Sequence, residues 1–184
     1  MSDVIADVLS GHVTSLRMVT TMDAADIIAL RNDPHINGNL SSTRPITLQQ
    51  QVNWIEANNK RNDNYYWMIV SQDGKVTGTI SLYEIADKGA EFGRYICLNP
   101  INSVEAELIL LDFAFNKIGL ERVYCRTVIE NTKVWKQHSK LGFIDKGIED
   151  NKDINRTLKV QEIRREQYLG NDYSSFANML KRFA

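Results

Sequence analysis

Apolar and polar residues alternate in two different ways along the first part of the chain. Residues 12–20 alternate at a spacing of two, which predicts a strand. Over 23–33 and 47–61 the apolar residues recur at a spacing of three and four, which predicts two amphipathic helices. Asp23 and Thr47 stand at N-cap positions, so they place the starts of these helices.

Two strands joined by a tight turn come next. Residues 65–85 hold apolar runs on either side of Asp73-Gly74, a dipeptide that favours the two-residue turn of a β-hairpin. A further turn leads to another apolar run over 90–98. The pattern therefore predicts three consecutive strands in this region.

Helices and strands also follow one another through the second half of the chain. The pattern predicts, in order, a helix over 104–118, a strand over 122–129, a helix over 132–142 and strands over 143–149 and 156–164. This order predicts an α/β (α+β) fold, with a mixed sheet of about seven strands and helices on both faces. We expect a single domain over 1–184, with a core over about 13–168 and an extra C-terminal segment over 169–184.

Composition and charge narrow the function classes. Hydrophobic residues at 43% and charged residues at 24% of the 184 residues are ordinary values for a globular protein. The formal net charge of −1 gives no electrostatic case for binding nucleic acid. No run approaches the ~20 apolar residues of a membrane span, and the start of the chain lacks the basic segment of a signal peptide. We therefore expect a soluble, cytoplasmic protein without a nucleic-acid or membrane partner.

The two cysteines, Cys97 and Cys125, lie inside apolar, strand-like runs. Their spacing suits neither a zinc site nor a disulfide framework. We interpret both as core thiols and expect no bound metal.

The strand-to-helix junction near Asn99 contains no glycine, although glycines usually let backbone N–H groups close around a pyrophosphate. Glu105 and Glu107 lie in the first turn of the predicted helix, where they would repel phosphates. Two interpretations stay open at this stage. Either the helix start binds phosphate, or Asn102 or Ser103 simply caps the helix and no ligand binds there.

Several short motifs, taken in their order and spacing, resemble the GNAT acetyltransferases. They are "RNDPHIN", "DGKVTGTISL", "AEFGRYI", "FNKIGLERVY" and "EN…KLGF", which together run from about Leu16 to Phe143. The resemblance is strongest to the branch of ribosomal-protein N-terminal and aminosugar acetyltransferases, in particular to the nucleotide-aminosugar N-acetyltransferases of pseudaminic acid synthesis. It implies a GNAT-like, mostly antiparallel sheet and acetyl-CoA as cosubstrate.

The resemblance implies that the protein acetylates the amine of a UDP-linked amino sugar, and a homodimer is left open. Two other functions also stay open. One is acetylation of a protein N-terminus or a polyamine, which an acidic acceptor groove would favour. The other is a non-catalytic ligand-binding module that kept the GNAT fold and lost the cofactor loop.

The family usually carries an Arg/Gln-Gly-x-Gly-x-Gly/Ala loop before this helix, and here the loop is shortened, with Ser103 where the last glycine stands. The resemblance implies that the pantetheine arm of acetyl-CoA pairs with the preceding strand like an added strand. The implied cofactor contacts are the backbone of Ile96, Leu98 and Asn99, the helix N–H groups of Ser103, Val104 and Glu105, and the side chains of Asn131, Lys133 and Lys136. Asn131 could instead cap the short helix, and the lysines could simply be solvated.

Catalytic residues follow from the same resemblance. Glu91 matches a position beside the acceptor and is our candidate base, acting through a water that Ser81 could hold. His138, seven residues after Asn131, stands where the family has the tyrosine that protonates the departing thiol. As an imidazolium it could do the same, and kcat would then fall as pH rises through the histidine pKa. For each residue the alternative is an ordinary packed or exposed side chain.

Acceptor-binding residues are implied at three positions. Arg31, Gln51 and Tyr95 align with the nucleotide-sugar pocket of the aminosugar enzymes, although Gln51 replaces a histidine. Arg31 could instead form an ion pair at a helix end, and Tyr95 could be part of the core.

Overall fold

The computed structural model describes residues 8–40 and 44–184. Residues 1–7, on which the expectation of no signal peptide rests, lie outside the described residues. The strands are β1 (Val8–Ser10), β2 (Thr14–Met18), β3 (Tyr65–Ser71), β4 (Val76–Ala86), β5 (Gly89–Cys97), β6 (Arg122–Val128), β7 (Ile144–Asn151) and β8 (Arg156–Arg164). The helices are α1 (Ala24–Asn32), α2 (Pro34–Asn37), α3 (Leu48–Asn59), α4 (Pro100–Asp112), α5 (Thr132–Lys140), α6 (Arg165–Gly170) and α7 (Ser174–Leu180).

The described residues form one sheet of eight strands in the order β1-β2-β3-β4-β5-β6-β8-β7. β5 and β6 are parallel, and every other neighbouring pair is antiparallel. The prediction of a mixed, mostly antiparallel sheet is confirmed. The strand beyond the predicted seven is β1, which pairs with β2 through Leu9 and Leu16. It was missed because three residues are too few to show a period.

Helices pack on both faces of the sheet, as predicted. Trp67 and Met68 are neighbours on β3, so their side chains point to opposite faces. Trp67 belongs to the large core cluster, together with Leu110 of α4. Met68 belongs to a second cluster, beneath α1 and α3. Each fully buried side chain of this size stabilises the fold by about 1.5–3 kcal/mol.

The path of β5 changes at Arg94. Thr79 pairs with Ile96 and Ser81 with Gly93, so β5 has one residue more than β4 between these two pairs. Arg94 has a φ of 47°, a conformation that non-glycine residues rarely adopt. Such a bulge bends its strand.

The parallel neighbours β5 and β6 separate near this bulge. Their pairing ends at Phe92 and Cys125, although β5 continues to Cys97 and β6 to Val128. A gap therefore opens between the two strands, at their carboxyl ends. Helix α5 follows β6 directly and covers one side of this gap.

The C-terminal segment forms α6 and α7 and packs against the rest of the fold. The Tyr168 and Phe115 rings are in tilted contact with centroids 5.2 Å apart, and the Tyr173 hydroxyl donates to the Leu141 carbonyl at 2.9 Å. In the part of the chain that the structure describes, no helix is both long and apolar enough to cross a membrane.

Candidate active site

A cavity of about 640 Å³ lies at the gap between β5 and β6. Its walls come from α1, α3, α5 and the carboxyl ends of β5 and β6, together with residues 39–40 and 44–46. We call it the large cavity. A second cavity of about 130 Å³, the small cavity, lies between β5 and α5 towards the start of α4. Both are lined by Tyr95, Ile96, Asn131 and Val134, so they adjoin one another.

The ionisable side chains that line the large cavity are strongly biased towards positive charge. Four arginines line it, Arg31, Arg44, Arg94 and Arg126. Among the described residues no aspartate or glutamate lines it. Phosphate and carboxylate groups are the ligands that guanidinium groups bind best, often through two hydrogen bonds.

Arg94 is held in place by aromatic rings and one hydroxyl. Its guanidinium carbon lies 4.1 Å from the Tyr83 ring centroid and 5.0 Å from that of Trp54. Its Nη1 donates to Ser81 Oγ at 3.0 Å. Burial lowers the pKa of Arg94 from its usual value, but no described carboxylate forms an ion pair with it. The left-handed backbone at the bulge turns this side chain towards the cavity.

The predicted base and its water-holding residue do not line either cavity. Glu91 is 4% exposed and forms two hydrogen bonds with Arg126, one from Nη2 and one of 3.2 Å from Nε. Ser81 is fully buried, accepts from Arg94 and donates to the Tyr65 carbonyl at 2.9 Å. In the structure the Glu91 carboxylate is thus bonded to Arg126, and the Ser81 hydroxyl is bonded to Arg94.

The three predicted acceptor-binding residues do come together. Arg31, Gln51 and Tyr95 all line the large cavity, from α1, α3 and β5. Gln51 is 4% exposed, so only a small part of it reaches the cavity surface. Sequence reasoning did not find Arg44, Arg94 or Arg126. The signal for Arg94 was the strand motif "GRYI", but the bulge that turns the side chain inward leaves no trace in the spacing of apolar residues.

His138 lies in the wall of the large cavity but is almost completely buried, at 2% exposure. Its Nδ1 is 3.3 Å from Cys125 Sγ, and its Nε2 is 3.6 Å from Glu107 Oε1. Burial lowers the pKa of His138 to about 3, so the ring is uncharged at neutral pH. An uncharged ring has no imidazolium proton to give to the leaving thiol, which argues against the expected role of His138.

A cysteine, a histidine and a carboxyl group follow one another here, as in the catalytic triad of a cysteine hydrolase. They are Cys125, His138 and Glu107. Burial raises the pKa of the Cys125 thiol well above its usual value, so the sulfur stays protonated. The contact is therefore a hydrogen bond inside the core, which agrees with the prediction of a core thiol at this position.

Behind Tyr95 lies a polar network that sequence reasoning did not find. Gln137 Nε2 is within hydrogen-bonding distance of three oxygens, those of Glu107 Oε1 (2.6 Å), Ser103 Oγ (2.8 Å) and the Tyr95 hydroxyl (3.1 Å). The Tyr95 hydroxyl also lies 2.5 Å from Ser103 Oγ. Burial raises the pKa of Tyr95 well above its usual value, so its hydroxyl keeps its proton.

The start of α4 differs from the prediction in a way that matters for phosphate binding. The helix begins at Pro100, four residues before the predicted 104, and its N-cap is Asn99. Asn99 Oδ1 accepts the N–H groups of Ile101 (2.8 Å) and Asn102 (3.2 Å), and the Asn99 carbonyl accepts that of Ser103 (2.9 Å). The interpretation that Asn102 or Ser103 caps the helix was therefore wrong.

The predicted phosphate contacts at Ser103, Val104 and Glu105 are wrong for the same reason, because these residues lie inside the helix. Glu105 is 3% exposed and accepts the backbone N–H groups of His12 (2.5 Å) and Val13 (2.8 Å). It fixes the turn between β1 and β2. Glu107 points to His138, so neither glutamate faces the place where we expected a phosphate.

The backbone of β5 that faces the gap is also shifted by one residue from the prediction. The Leu98 N–H donates to the Thr77 carbonyl at 2.8 Å, so Leu98 faces β4. Backbone groups alternate sides along a strand of an antiparallel pair. Ile96 therefore faces β4 like Leu98, and the N–H and carbonyl groups of Tyr95 and Cys97 face the gap.

Of the remaining predicted cofactor residues, two line a cavity and one does not. Asn131 lines both cavities, and its side chain makes no capping bond with α5, so the alternative that it caps this helix is not observed. Lys133 lines the small cavity. Lys136 lines neither cavity, and its Nζ lies 5.6 Å from the Trp135 ring centroid. Among residues 8–40 and 44–184, no group of three or more His, Cys, Asp or Glu side chains could hold a metal ion.

A parallel strand pair that opens around a bulge is what the fold contributes to this site. Residues 14–144, more than half of the chain, match the model of the acetyltransferase (GNAT) domain. The chain belongs to the GNAT acetyltransferases. Members of this family use acetyl-CoA, and the protein is an acetyl-CoA-dependent N-acetyltransferase.

This GNAT protein is similar to three proteins of known sequence or structure. The apo structure of FdhC, described as a nucleotide-linked sugar GNAT, is 25% identical, with a TM-score of 0.79 over 94% of this chain and 98% of that one. The Vibrio cholerae spermidine N-acetyltransferase in complex with CoA and spermine is 20% identical, with a TM-score of 0.75 over 85% and 98%. The uncharacterised N-acetyltransferase YokL of the SPbeta prophage in Bacillus subtilis (strain 168) is 24% identical over 75% of this chain and 80% of its own length.

Proposed function

We propose that this GNAT enzyme acetylates the amine of a nucleotide-linked amino sugar, with a UDP-linked sugar as the acceptor. The observation that carries the proposal is the large cavity, which is lined by four arginines and, among the described residues, by no carboxylate. Of the four, Arg126 is paired with Glu91 and Glu149, which do not line the cavity. A nucleotide sugar brings two negative charges on its diphosphate into that cavity. Guanidinium groups are suited to them by charge and by their paired donors.

The same charges argue against the polyamine alternative. Spermidine and spermine are polycations, and each would place several ammonium groups beside the arginines. Like charges about 4 Å apart repel by about 4 kcal/mol near a protein surface. Relatives of both kinds have this fold, FdhC for nucleotide-linked sugars and the Vibrio cholerae enzyme for spermidine. The charge of the wall, and not the fold, is what favours the sugar.

In this proposal, different residues of the large cavity bind the diphosphate, the nucleoside and the amine of the acceptor. Arg31 and Arg44 lie at the side of the large cavity formed by α1 and the residues before α3, where we place the diphosphate. Gln51 and Trp54 of α3 offer an amide and a ring face for the nucleoside. The amine then points towards the gap between β5 and β6, near Phe92 and Tyr95.

Acetyl transfer needs a proton for the departing thiolate. The uncharged His138 cannot supply it, and Glu91 is tied to Arg126. Tyr95 lines both cavities, and its hydroxyl keeps its proton. That hydroxyl donates to the Ser103 carbonyl at 3.1 Å and also contacts Ser103 Oγ and Gln137 Nε2. We assign the donation of this proton to Tyr95. As the N–C bond forms and the C–S bond breaks, Tyr95 gives its proton to the thiolate and regains one from the amine nitrogen.

The experiment that tests the acceptor is a direct comparison of substrates. Purified protein with acetyl-CoA is given a UDP-linked 4-amino sugar, spermidine or a peptide with a free N-terminus, and acetylated product is measured by mass spectrometry. We expect product from the UDP-linked sugar and little from the others. Turnover of spermidine or of the peptide, without turnover of the sugar, would overturn the proposal.

A further inference from the structure

The N–H groups at the N-terminus of α4 already donate hydrogen bonds to Asn99. The first N–H groups of a helix lack partners within the helix, which is why such ends bind phosphate. Here Pro100 has no N–H group, Ile101 and Asn102 donate to the Asn99 side chain, and Ser103 donates to the Asn99 carbonyl. The side chain of Asn99 thus occupies the position that an anion would take.

The backbone before α4 does not form another anion-binding site. Successive N–H groups can form an anion-binding concavity where residues adopt left-handed conformations, usually at glycines. The sequence has no glycine between Gly93 and Gly119, and in 95–118 no residue has a positive φ. Lys133 is the lysine that lines the small cavity, and it is exposed, so salt screens its charge.

The part of the site that would receive a pantetheine arm is complete. The gap between β5 and β6 presents the backbone of Tyr95 and Cys97 to an extended ligand, as an unpaired strand edge does. Val134 and Ile96 provide apolar walls between the two cavities, and Asn131 offers an amide without a capping bond. The recognition groups therefore lie along the thioester half of the donor.

We propose that this enzyme binds its acyl donor through the pantetheine thioester, and that the nucleotide half of CoA adds little. The donor class is then an acyl-pantetheine thioester, of which acetyl-CoA is one example. This inference rests on the acetyltransferase activity and not on the identity of the acceptor.

The test is a binding measurement that needs no acceptor. The protein is titrated by calorimetry with CoA, with pantetheine and with ADP. We expect the Kd of pantetheine to lie within tenfold of the Kd of CoA, and ADP not to displace CoA. Two charge-assisted hydrogen bonds to a pyrophosphate would add roughly 100-fold. A difference of that size, displacement of CoA by ADP, or no binding of either CoA or pantetheine would overturn the inference.

A variant of Asn99 adds an independent measurement. Asn99→Ala exposes the N–H groups of Ile101 and Asn102, so the affinity for CoA should rise several-fold while the affinity for pantetheine stays the same. Asn116→Ala, which removes an exposed asparagine just beyond the end of α4, is the matched control. A loss of CoA affinity in Asn99→Ala alone would mean that Asn99 itself contacts the nucleotide half, and the inference would be wrong. Because a failed acceptor assay leaves these titrations unaffected, the two proposals can fail separately.

Discussion

Glu107 Oε1 of α4 lies 3.6 Å from His138 Nε2 of α5, and neither side chain is more than 2% exposed. Burial raises the pKa of Glu107 to about 8 and lowers that of His138 to about 3. Glu107 Oε2 and His138 Nε2 have no hydrogen-bond partner within the described part of the chain. At neutral pH the pair is therefore an uncharged acid beside an uncharged imidazole, at the back of the active site.

The first prediction is that Glu107 and His138 contribute most to the free energy of unfolding within a limited range of pH. Folded Glu107 keeps its proton up to about pH 8, whereas an ordinary glutamic acid loses it near 4.5, so stability falls as pH rises between these values. Folded His138 binds a proton only below about pH 3, compared with 6.5 ordinarily, so stability rises with pH over that range. The two slopes oppose each other between 4.5 and 6.5, and above 6.5 only the loss from Glu107 remains.

Thermal melts across pH 5 to 8 test this window. We expect Glu107→Gln to remove the decline in Tm above pH 6.5, because the amide does not ionise. Glu56→Gln, a change at an exposed glutamate, should keep the wild-type slope. If Glu107→Gln and wild type decline in parallel, Glu107 is already ionised in the folded protein.

The second prediction concerns the proton donor. Tyr95→Phe removes the hydroxyl that we assign to the departing thiolate, and kcat should fall by about 10²-fold. Affinity for CoA should change little, since the backbone of Tyr95 is kept. The matched control is Tyr168→Phe, which alters a tyrosine packed on Phe115 away from both cavities. Normal turnover by Tyr95→Phe would remove this residue from the mechanism.

A related expectation follows for His138. Because its ring is uncharged above about pH 3, kcat should show no step near pH 6.5 that disappears in His138→Gln. Initial rates measured from pH 5.5 to 8 in both proteins decide this. A step present in wild type and lost in the variant would restore the role of an imidazolium.

The third prediction concerns acceptor binding. Arg31→Ala should raise the KM for a UDP-linked amino sugar by roughly tenfold, the usual size for one lost charge-assisted hydrogen bond. The affinity for acetyl-CoA should stay the same. Arg61→Ala is the matched control, since Arg61 pairs with Asp63 and lines neither cavity. Equal KM values in wild type and Arg31→Ala would favour a protein acceptor.

The fourth prediction separates two roles of Glu91. As the partner of Arg126, Glu91→Gln should lower the free energy of unfolding by about 1–3 kcal/mol and leave kcat within a few-fold. Urea melts and initial rates at pH 7 measure the two quantities. Glu149→Gln removes the more exposed partner of Arg126, 3.5 Å away, and should cost less. A fall in kcat of about 10² at unchanged stability would instead make Glu91 the base that acts through water.

Much of the fold follows from apolar spacing, but the start of α4 and the bulge at Arg94, like β1, do not, and for identifiable reasons. Apolar spacing predicts that α4 begins at 104, whereas the helix begins at Pro100. Proline is common in the first turn of a helix after an asparagine cap, and that signal was available. The bulge at Arg94 had no signal, since a left-handed arginine is held by surrounding rings and not by local preference.

By itself the sequence determined most of the strands and helices, although not the short β1 and α2, because period and turn chemistry act over a few residues. The order of the family motifs in the sequence also indicated the GNAT family. Through that resemblance it indicated that Arg31, Gln51 and Tyr95 belong to one acceptor site, and all three line the large cavity. Only the tertiary structure decided the charge of His138, because its pKa depends on how completely α4, α5 and β6 exclude water from it. It likewise decided that Glu105 and Glu107 point inward and that Asn99 closes the start of α4, since these partners come from segments far apart in the chain or from the exact path of its backbone.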